Sequence, residues 1–503
     1  MSLQETRQWR PLLHYAPARN WMNDPNGPIL IDGVYHLFYQ HNPVEPVMGY
    51  ISWGHAISRD LLHWEEQPIA LPSTPQEQIY SGTVIYDRDN RSGLGTVENP
   101  PLLALYTSVF RDMPGEQEDG TQAVSVAVSL DRGATWTRYV HNPVLTLDPV
   151  SRNFRDPALC WYEEGGYWVL TAVEAEQQVV KLFRSTDFLH WEFLSDFRPS
   201  GYHTPDMLWE VPVLARLPIE GEAGASGWVM IVSVNPGGLT GGSGTFYYVG
   251  DFDGTIFTPA EQPTATDDPW QYRWMDYGPD NYAIVCFAGT PTPVSIGWMG
   301  NWNYANQTPT SPWRGQMTLP AHLSLTRQED GTLLMKQNPV SLGAPVEVFV
   351  ASDIRPEAEV AWKLPDSVAD CADFADAVLD LQLVVDPAGD VVVLTVAATE
   401  DGRFGTEILY DPARRELVVD RSRSGVPIPD ATFTTRHVAP LSPQDGVVRL
   451  RVIVDRSSVE IFAADGLVRM TEVIFPPPRA TTVTLGSYAG SACFRSVKAR
   501  WFR

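Results

Sequence analysis

The amino-acid sequence predicts an all-β protein, a five-bladed β-propeller followed by a C-terminal β-sandwich. Three observations carry that expectation. Short runs of β-type residues alternate with turns rich in Gly, Pro, Asp and Asn. A turn phrase ending in Trp recurs at blade-length intervals. Near Val346 that phrase stops while strand-like runs continue.

The early runs include GVYHLFYQHN, YSGTVIYD, PLLALYTSV, TQAVSVAVS and GYWVLTAV, and no long amphipathic helix pattern precedes residue 345. The recurring phrase is Ser-x-Asp followed by Trp: SRDLLHW (Ser58 to Trp64), SLDRGATW (Ser129 to Trp136) and STDFLHW (Ser185 to Trp191). A weaker echo is GDFDGTIF, Gly250 to Phe257. The final aromatics lie 72, 55 and 66 residues apart, the length of one four-stranded sheet per repeat. Over about 320 residues that spacing gives roughly five blades.

The expected catalytic propeller therefore spans residues 1–335, and KQNPVSLGAP, with two prolines and no periodicity, supplies a join at 336–345. Residues 346–503 carry VLDLQLVVD, DVVVLTVAAT, RELVVDR, VVRLRVIVD and VTLGSYAG, the strands of a sandwich.

Composition narrows the function. A formal charge of -25 disfavours nucleic acid and anionic membranes, whose phosphates need a basic face. Seventeen Trp and nineteen Tyr exceed what cores alone require, and their faces suit the apolar faces of sugar rings. Cys160, Cys286, Cys371 and Cys493 lie far apart, with neither a disulfide framework nor metal-type spacing, and the His residues form no metal-type spacing either. The glycine-rich NPGGLTGGSGT (Asn235 to Thr245) lacks a Lys and a following helix, so it reads as a loop and not a phosphate cradle. MSLQETRQWRPLLHY lacks the apolar stretch of a signal peptide, and no window approaches the ~18 apolar residues of a membrane span. A chain that starts natively at Met1 is expected in the cytoplasm, and one whose leader was removed outside the cell.

Three carboxylates stand in unusual surroundings: Asp24 in WMNDPNGP, Asp156 in NFRDPAL and Glu210 in MLWEVPVL. Two precede proline, which biases the acid towards extended or bridge geometry at a strand end. A Asp-Pro pair alone is usually a surface turn, but turns do not ask for Trp21, Met22 and Asn23 before the acid, or for Trp209 beside another. Glycoside cleavage with retention needs a nucleophilic carboxylate and a protonated carboxyl about 5 to 5.5 Å apart. Glu210, between Trp209 and Val211, is expected to be desolvated into the acid role. Asp24, among Asn23 and Asn26, is expected to stay ionised as a nucleophile. Asp156, beside Arg155, is expected to be held anionic.

With these motifs in place, the chain resembles glycoside hydrolase family 32, the invertase, inulinase and levanase family. The ordered set runs WMNDPNGP, FYQHNP (Phe38 to Pro43), SWGHA (Ser52 to Ala56), YSGT (Tyr80 to Thr83), FRDP (Phe154 to Pro157), WEVP (Trp209 to Pro212) and SSVEIF (Ser457 to Phe462). The resemblance implies a five-bladed propeller with a sandwich, a covalent fructosyl-enzyme and no cofactor or metal. It also implies Asp24 as nucleophile, Glu210 as acid/base and Asp156 as transition-state stabiliser. The implied substrate is a small or polymeric β-fructoside, bound by Asn23, Gln40, Trp53, Ser81 and Arg155, with Trp302 in GNWNYANQTPTSPWRG as an aromatic wall. That last stretch favours fructan or sucrose over sucrose 6-phosphate. An arabinosidase or xylosidase on a similar propeller, a non-catalytic sugar-binding relative, and a fructosyltransferase or difructose-releasing fructan enzyme of the same family are the rival readings. Two departures from the family pattern stand out: Val211 follows the glutamate where Cys is common, and LPAHLSL (Leu319 to Leu325) replaces an Arg-Glu pair by Ala321 and His322.

Overall fold

A computed structural model of the chain describes residues 8–111, 119–199, 201, 206–261, 268–365, 377–433 and 436–503; Met1 to Leu3 and Cys371 lie outside the described residues. No α-helix occurs among the described residues, where strands are joined by turns and single 3-10 turns.

Five antiparallel sheets follow one another between Asn20 and Pro339. Their innermost strands are Asn20–Ile31, Glu77–Tyr86, Phe154–Tyr162, Leu208–Pro218 and Tyr282–Cys286. These five neighbour one another in chain order, and the fifth returns to the first, so the sheets are the blades (I to V) of a closed propeller. Ring closure uses two devices. Trp313–Arg314, from the excursion within blade V, pairs in parallel with Asn20 and Trp21 of blade I. Pro28 and Leu30 exchange backbone hydrogen bonds with Ala288 at 2.9 Å.

The recurring Trp phrase is the turn between the third and fourth strands of a blade, and its spelling follows from hydrogen bonding. In blade I the Ser58 Oγ accepts from the Leu61 amide at 2.9 Å, Asp60 accepts from the Leu62 and His63 amides, and the Trp64 indole donates to Leu61 O at 3.0 Å. Blade III repeats this with Ser185, Asp187, Phe188 and Trp191, and blade II with Ser129, Asp131, Gly133 and Trp136. Leu61 and Phe188 sit at φ of 70° and 66°, a left-handed backbone that is uncommon for bulky residues. The side-chain caps hold it there by taking up the turn's amides.

The second domain packs two six-stranded antiparallel sheets face to face, enclosing a core that includes Leu381, Val452, Ile461, Phe494 and Trp501. Glu347–Ala351 is its first strand, and Leu333–Pro339 is the last of blade V.

Charged side chains are buried where the two domains meet. Glu460 of the SSVEIF motif accepts from His14 Nε2 at 3.0 Å, from Arg469 at 2.5 Å and from the Leu319 amide at 3.2 Å. His14 Nδ1 lies 2.8 Å from Asp455. Arg421 of the sandwich pairs with Asp280 of the propeller at 2.6 Å and with Glu472 at 3.2 Å. Every one of these ions has a partner, as a desolvated charge requires. In the departure LPAHLSL, Ala321 is buried in blade V, whereas His322 is exposed and its Nδ1 lies 3.3 Å from the Thr292 hydroxyl.

Candidate active site

The five innermost strands break register at the same level. The irregularities fall between Met22 and Pro25, Tyr80 and Gly82, Arg155 and Ala158, Glu210 and Val213, and Tyr282 and Val285. Each inserts an extra residue into one strand, and such bulges re-aim side chains. Asp156, Val211 and Ala283 at these bulges have φ of 63°, 48° and 53°. The extended geometry expected of Asp156 before proline is therefore overridden: the bulge opposite Thr171 to Val173 turns its backbone left-handed. Left-handed backbone at non-glycine residues thus recurs at the inner-strand bulges of blades III, IV and V. Two motif glycines allow close backbone approach: a Cβ on Gly27 of blade I would lie 2.6 Å from Val84 N of blade II, and one on Gly82 would lie 2.1 Å from Leu105 O of the neighbouring strand in blade II.

The bulges bring Asp24, Asp156 and Glu210 close enough for their charges to act on one another. Asp24 and Asp156 are buried, and the Glu210 side chain keeps 20% of its surface exposed. A network fixes Asp24: Asn23 Nδ2 donates to its Oδ1 at 3.0 Å and the Ser81 hydroxyl to its Oδ2 at 2.9 Å. Gln40 in turn donates to Ser81 Oγ and accepts from Asn23 at 3.3 Å. Asp156 accepts from the Val211 amide at 3.0 Å, while its own amide donates to Thr107 Oγ1 at 2.8 Å.

Arg155 serves Glu210 more closely than its chain neighbour. Its Nη2 lies 3.0 Å from Glu210 Oε1, whereas its Nε is 3.7 Å from Asp156. The other Glu210 oxygen accepts from the Tyr282 hydroxyl. The neighbours expected to desolvate Glu210 point elsewhere: Trp209 packs in the core of blades III and IV, and Val211 in the central cluster.

Burial, reinforced by the Glu210 charge, pushes the Asp24 carboxyl up to about 6 despite the Asn23 and Ser81 donors. Asp156 is also raised: burial and the other two carboxylates outweigh the Arg155 guanidinium. The sequence expectation that Arg155 alone keeps Asp156 anionic thus underestimates desolvation.

Of the expected sugar-binding residues, Asn23, Gln40 and Ser81 belong to the network around Asp24, and Arg155 holds Glu210. Trp53 has no exposed surface; it packs with Phe38 and Tyr106, and its indole donates to Tyr80 O at 3.0 Å. Trp302 is half-buried and stacks on Trp21 with centroids 5.8 Å apart. Trp21 connects that wall to the acids, since its indole donates to Asn23 Oδ1 at 2.7 Å. Sequence reasoning missed Tyr282 and Thr107, which read as ordinary strand residues. The available signal for Tyr282 was positional, the first residue of the fifth inner strand. Among the described residues no group of three His, Cys, Asp or Glu side chains is disposed to hold a metal ion.

Comparisons agree with this architecture. Residues 14–338 match the model of the N-terminal domain of glycosyl hydrolases family 32, and residues 357–500 match that of its C-terminal domain. The chain is 37% identical to the extracellular exo-inulinase of Aspergillus awamori over 96% of its own length and 92% of that protein's. It is 36% identical to the levanase of Bacillus subtilis (strain 168), covering 97% of this chain and 70% of the levanase. The crystal structure of the Aspergillus awamori exo-inulinase superposes with a TM-score of 0.88 at 34% identity over 98% of both chains. The fructofuranosidase of Schwanniomyces occidentalis, in complex with fructose, superposes with a TM-score of 0.88 at 29% identity over 99% of both. A bulged ring carrying two aspartates and a glutamate, a sandwich locked on by SSVEIF, and matches spanning both domains lead to one conclusion: the chain belongs to family 32 of the glycosyl hydrolases.

Proposed function

We propose that this glycoside hydrolase of the β-fructofuranosidase type releases terminal fructosyl units from fructans and sucrose with retention, through a covalent intermediate on Asp24. The observation that supports the reading is that Asp24, Asp156 and Glu210, from blades I, III and IV, lie close enough to act on one another's charge, with the Arg155 guanidinium beside two of them.

The roles follow from what each carboxyl touches. Asp24 is held by the neutral donors Asn23 and Ser81, which fix its oxygens without forming a fixed ion pair. At neutral pH it is ionised and attacks the anomeric carbon. Glu210 is the more exposed acid and the one tied to Arg155 and Tyr282. Its Oε1 is tied to the Arg155 guanidinium, so Oε2, whose partner is the neutral Tyr282 hydroxyl, carries the proton that passes to the departing oxygen. The same oxygen later takes a proton from the water that opens the fructosyl ester, restoring the starting state. Asp156, neither nucleophile nor acid, binds ring hydroxyls as positive charge develops at the anomeric carbon. Asn23, Gln40, Ser81 and Arg155 supply further polar contacts to the ring, Trp302 walls the pocket, and Trp53 supports it from behind.

A pocket for one terminal ring implies exo action. An early time course on inulin, levan and sucrose tests this. Free fructose alone, with slowly falling polymer length, supports the proposal; early oligosaccharides or difructose contradict exo action, and longer transfer products contradict hydrolysis.

A further inference from the structure

We propose that Thr432, in the β-sandwich, is a positioning residue for the Trp302 wall of the substrate pocket, so that the second domain takes part in substrate recognition. The inference rests on the reading of that pocket as the fructosyl site.

Trp302 sits in a loop of blade V that is held from three sides. Its own amide donates to Ser243 Oγ at 3.0 Å, and the side chain of the preceding Asn301 donates to Gly241 O at 3.1 Å. Both partners belong to the glycine-rich loop of blade IV, which gives that stretch a purpose. Gly242 has φ of 69°, and a Cβ there would lie 2.2 Å from Asn301 Oδ1, so only glycine lets the two loops meet. The third side is the sandwich. Asn303 Nδ2 donates to Thr432 Oγ1 at 3.2 Å. The Thr432 hydroxyl donates to Asp430, whose Oδ1 also accepts from the Thr432 amide at 2.9 Å, so the acceptor lone pair is aimed at Asn303.

The next residue along is clamped by the same domain. Tyr304 packs edge-on against Phe433 with centroids 5.2 Å apart, and its hydroxyl accepts from the buried Arg421 at 2.8 Å. Both residues that follow Trp302 are therefore anchored on the sandwich. From Trp302 the contacts continue through the stacked Trp21 to Asn23 and Asp24. A shift of the Asn303 anchor moves the indole of the pocket wall, while Asp24 stays tied to Ser81, which Gln40 holds in turn, and Glu210 to Arg155 and Tyr282. The consequence falls on binding and not on the chemical step.

The test is Thr432→Val, which removes the hydroxyl but keeps the methyl that approaches the glycine loop. With one hydrogen bond lost, KM for inulin and sucrose should rise about three- to tenfold, with kcat changed less than about twofold. Thr432→Ser should restore KM. In a Trp302→Ala background, Thr432→Val should have no further effect; additive losses would overturn the inference. A substrate-free readout separates it from the functional reading: hydrogen exchange at the amides of Trp302 and Tyr304 should accelerate in Thr432→Val, and unchanged exchange overturns the positioning role. If the wild type releases no fructose from any fructoside, the functional reading fails, and the exchange measurement still decides this one.

Discussion

Arg155 and Glu210, 55 residues apart in the chain, form an ion pair of 3.0 Å, and the guanidinium spends its shorter contact on Glu210 although Asp156 is its chain neighbour. Both Nε and Nη2 reach Glu210 Oε1, at 3.3 and 3.0 Å. A flat fork presenting two donors to one carboxyl fixes its plane, which an ammonium cannot do. Arg155→Lys should keep the charge but lower kcat/KM about 100-fold or more, comparable to removing one preorganised donor. Steady-state kinetics on sucrose at an unchanged melting temperature checks it; near-parental activity would mean that charge alone matters.

Tyr282 offers a cleaner subtraction. Its hydroxyl donates to Glu210 Oε2, while its ring packs against Trp298 with centroids 6.3 Å apart. Tyr282→Phe retains the ring and removes the donor. We expect a loss of about 10- to 100-fold in kcat on sucrose, and a smaller loss on fructosides with good leaving groups, whose departure needs less protonation. Equal losses on both would place Tyr282 outside proton transfer.

Asp24→Asn should abolish turnover and also stabilise the protein. Burial raises the Asp24 carboxyl to about 6, above its unfolded value, so its contribution to stability is present at low pH and is lost as pH rises through 6. The amide removes that charge at neutral pH. A gain of up to about 2 kcal/mol is expected at pH 8, shrinking below pH 4, after allowing for one donor left mismatched. In the wild type, kcat/KM should fall with pH below about 6 as the nucleophile is protonated. Thermal unfolding and rate profiles across pH 4 to 8 check both signs.

The interdomain His14 titrates in a different window. Burial alone would lower it, but hydrogen bonds to Asp455 and Glu460 raise it to about 9. A group raised from 6.5 stabilises fully below its unfolded value, and that contribution is lost as pH rises through 9. It amounts to about 3 kcal/mol for a fully buried imidazolium. Asp455 and Glu460 are held below their ordinary range despite burial, so their contribution is lost on the acid side. Unfolding scans from pH 6 to 10 should show a steeper alkaline decline in the wild type than in His14→Gln; parallel declines would rule out His14 as the titrating group.

Much of this was legible in the sequence because hydrogen-bonding needs spell themselves locally. Ser58, Asp60 and Trp64 are within seven residues of one another, so the turn that caps blade I can be read, and its recurrence at Ser129 and Ser185 counts blades. Asp24, Asp156 and Glu210 were visible because turns do not require their aromatic neighbours. What stayed hidden depends on partners distant in sequence. Nothing around Arg155 shows that its guanidinium reaches Glu210, and Asp-Pro at 156 suggests an extended residue where the bulge imposes a left-handed one. Tyr282 looks like the start of an apolar strand until the ring of five is closed. The Glu460 motif was recognised as a string, but its purpose appears only when His14, Arg469 and Leu319 converge on it.

The central claim is a covalent fructosyl ester on Asp24. The direct measurement uses Glu210→Gln, in which a β-fructofuranoside with a good leaving group can still fructosylate the enzyme while water is poorly activated to release it. Rapid acid quench, proteolysis and peptide mass spectrometry should find one anhydrohexose added to the peptide that contains Trp21 to Gly27, with fragmentation placing it on Asp24 and no adduct formed by Asp24→Asn/Glu210→Gln. An adduct on Asp156 or elsewhere, or a burst of leaving group with no modified peptide, would contradict the account.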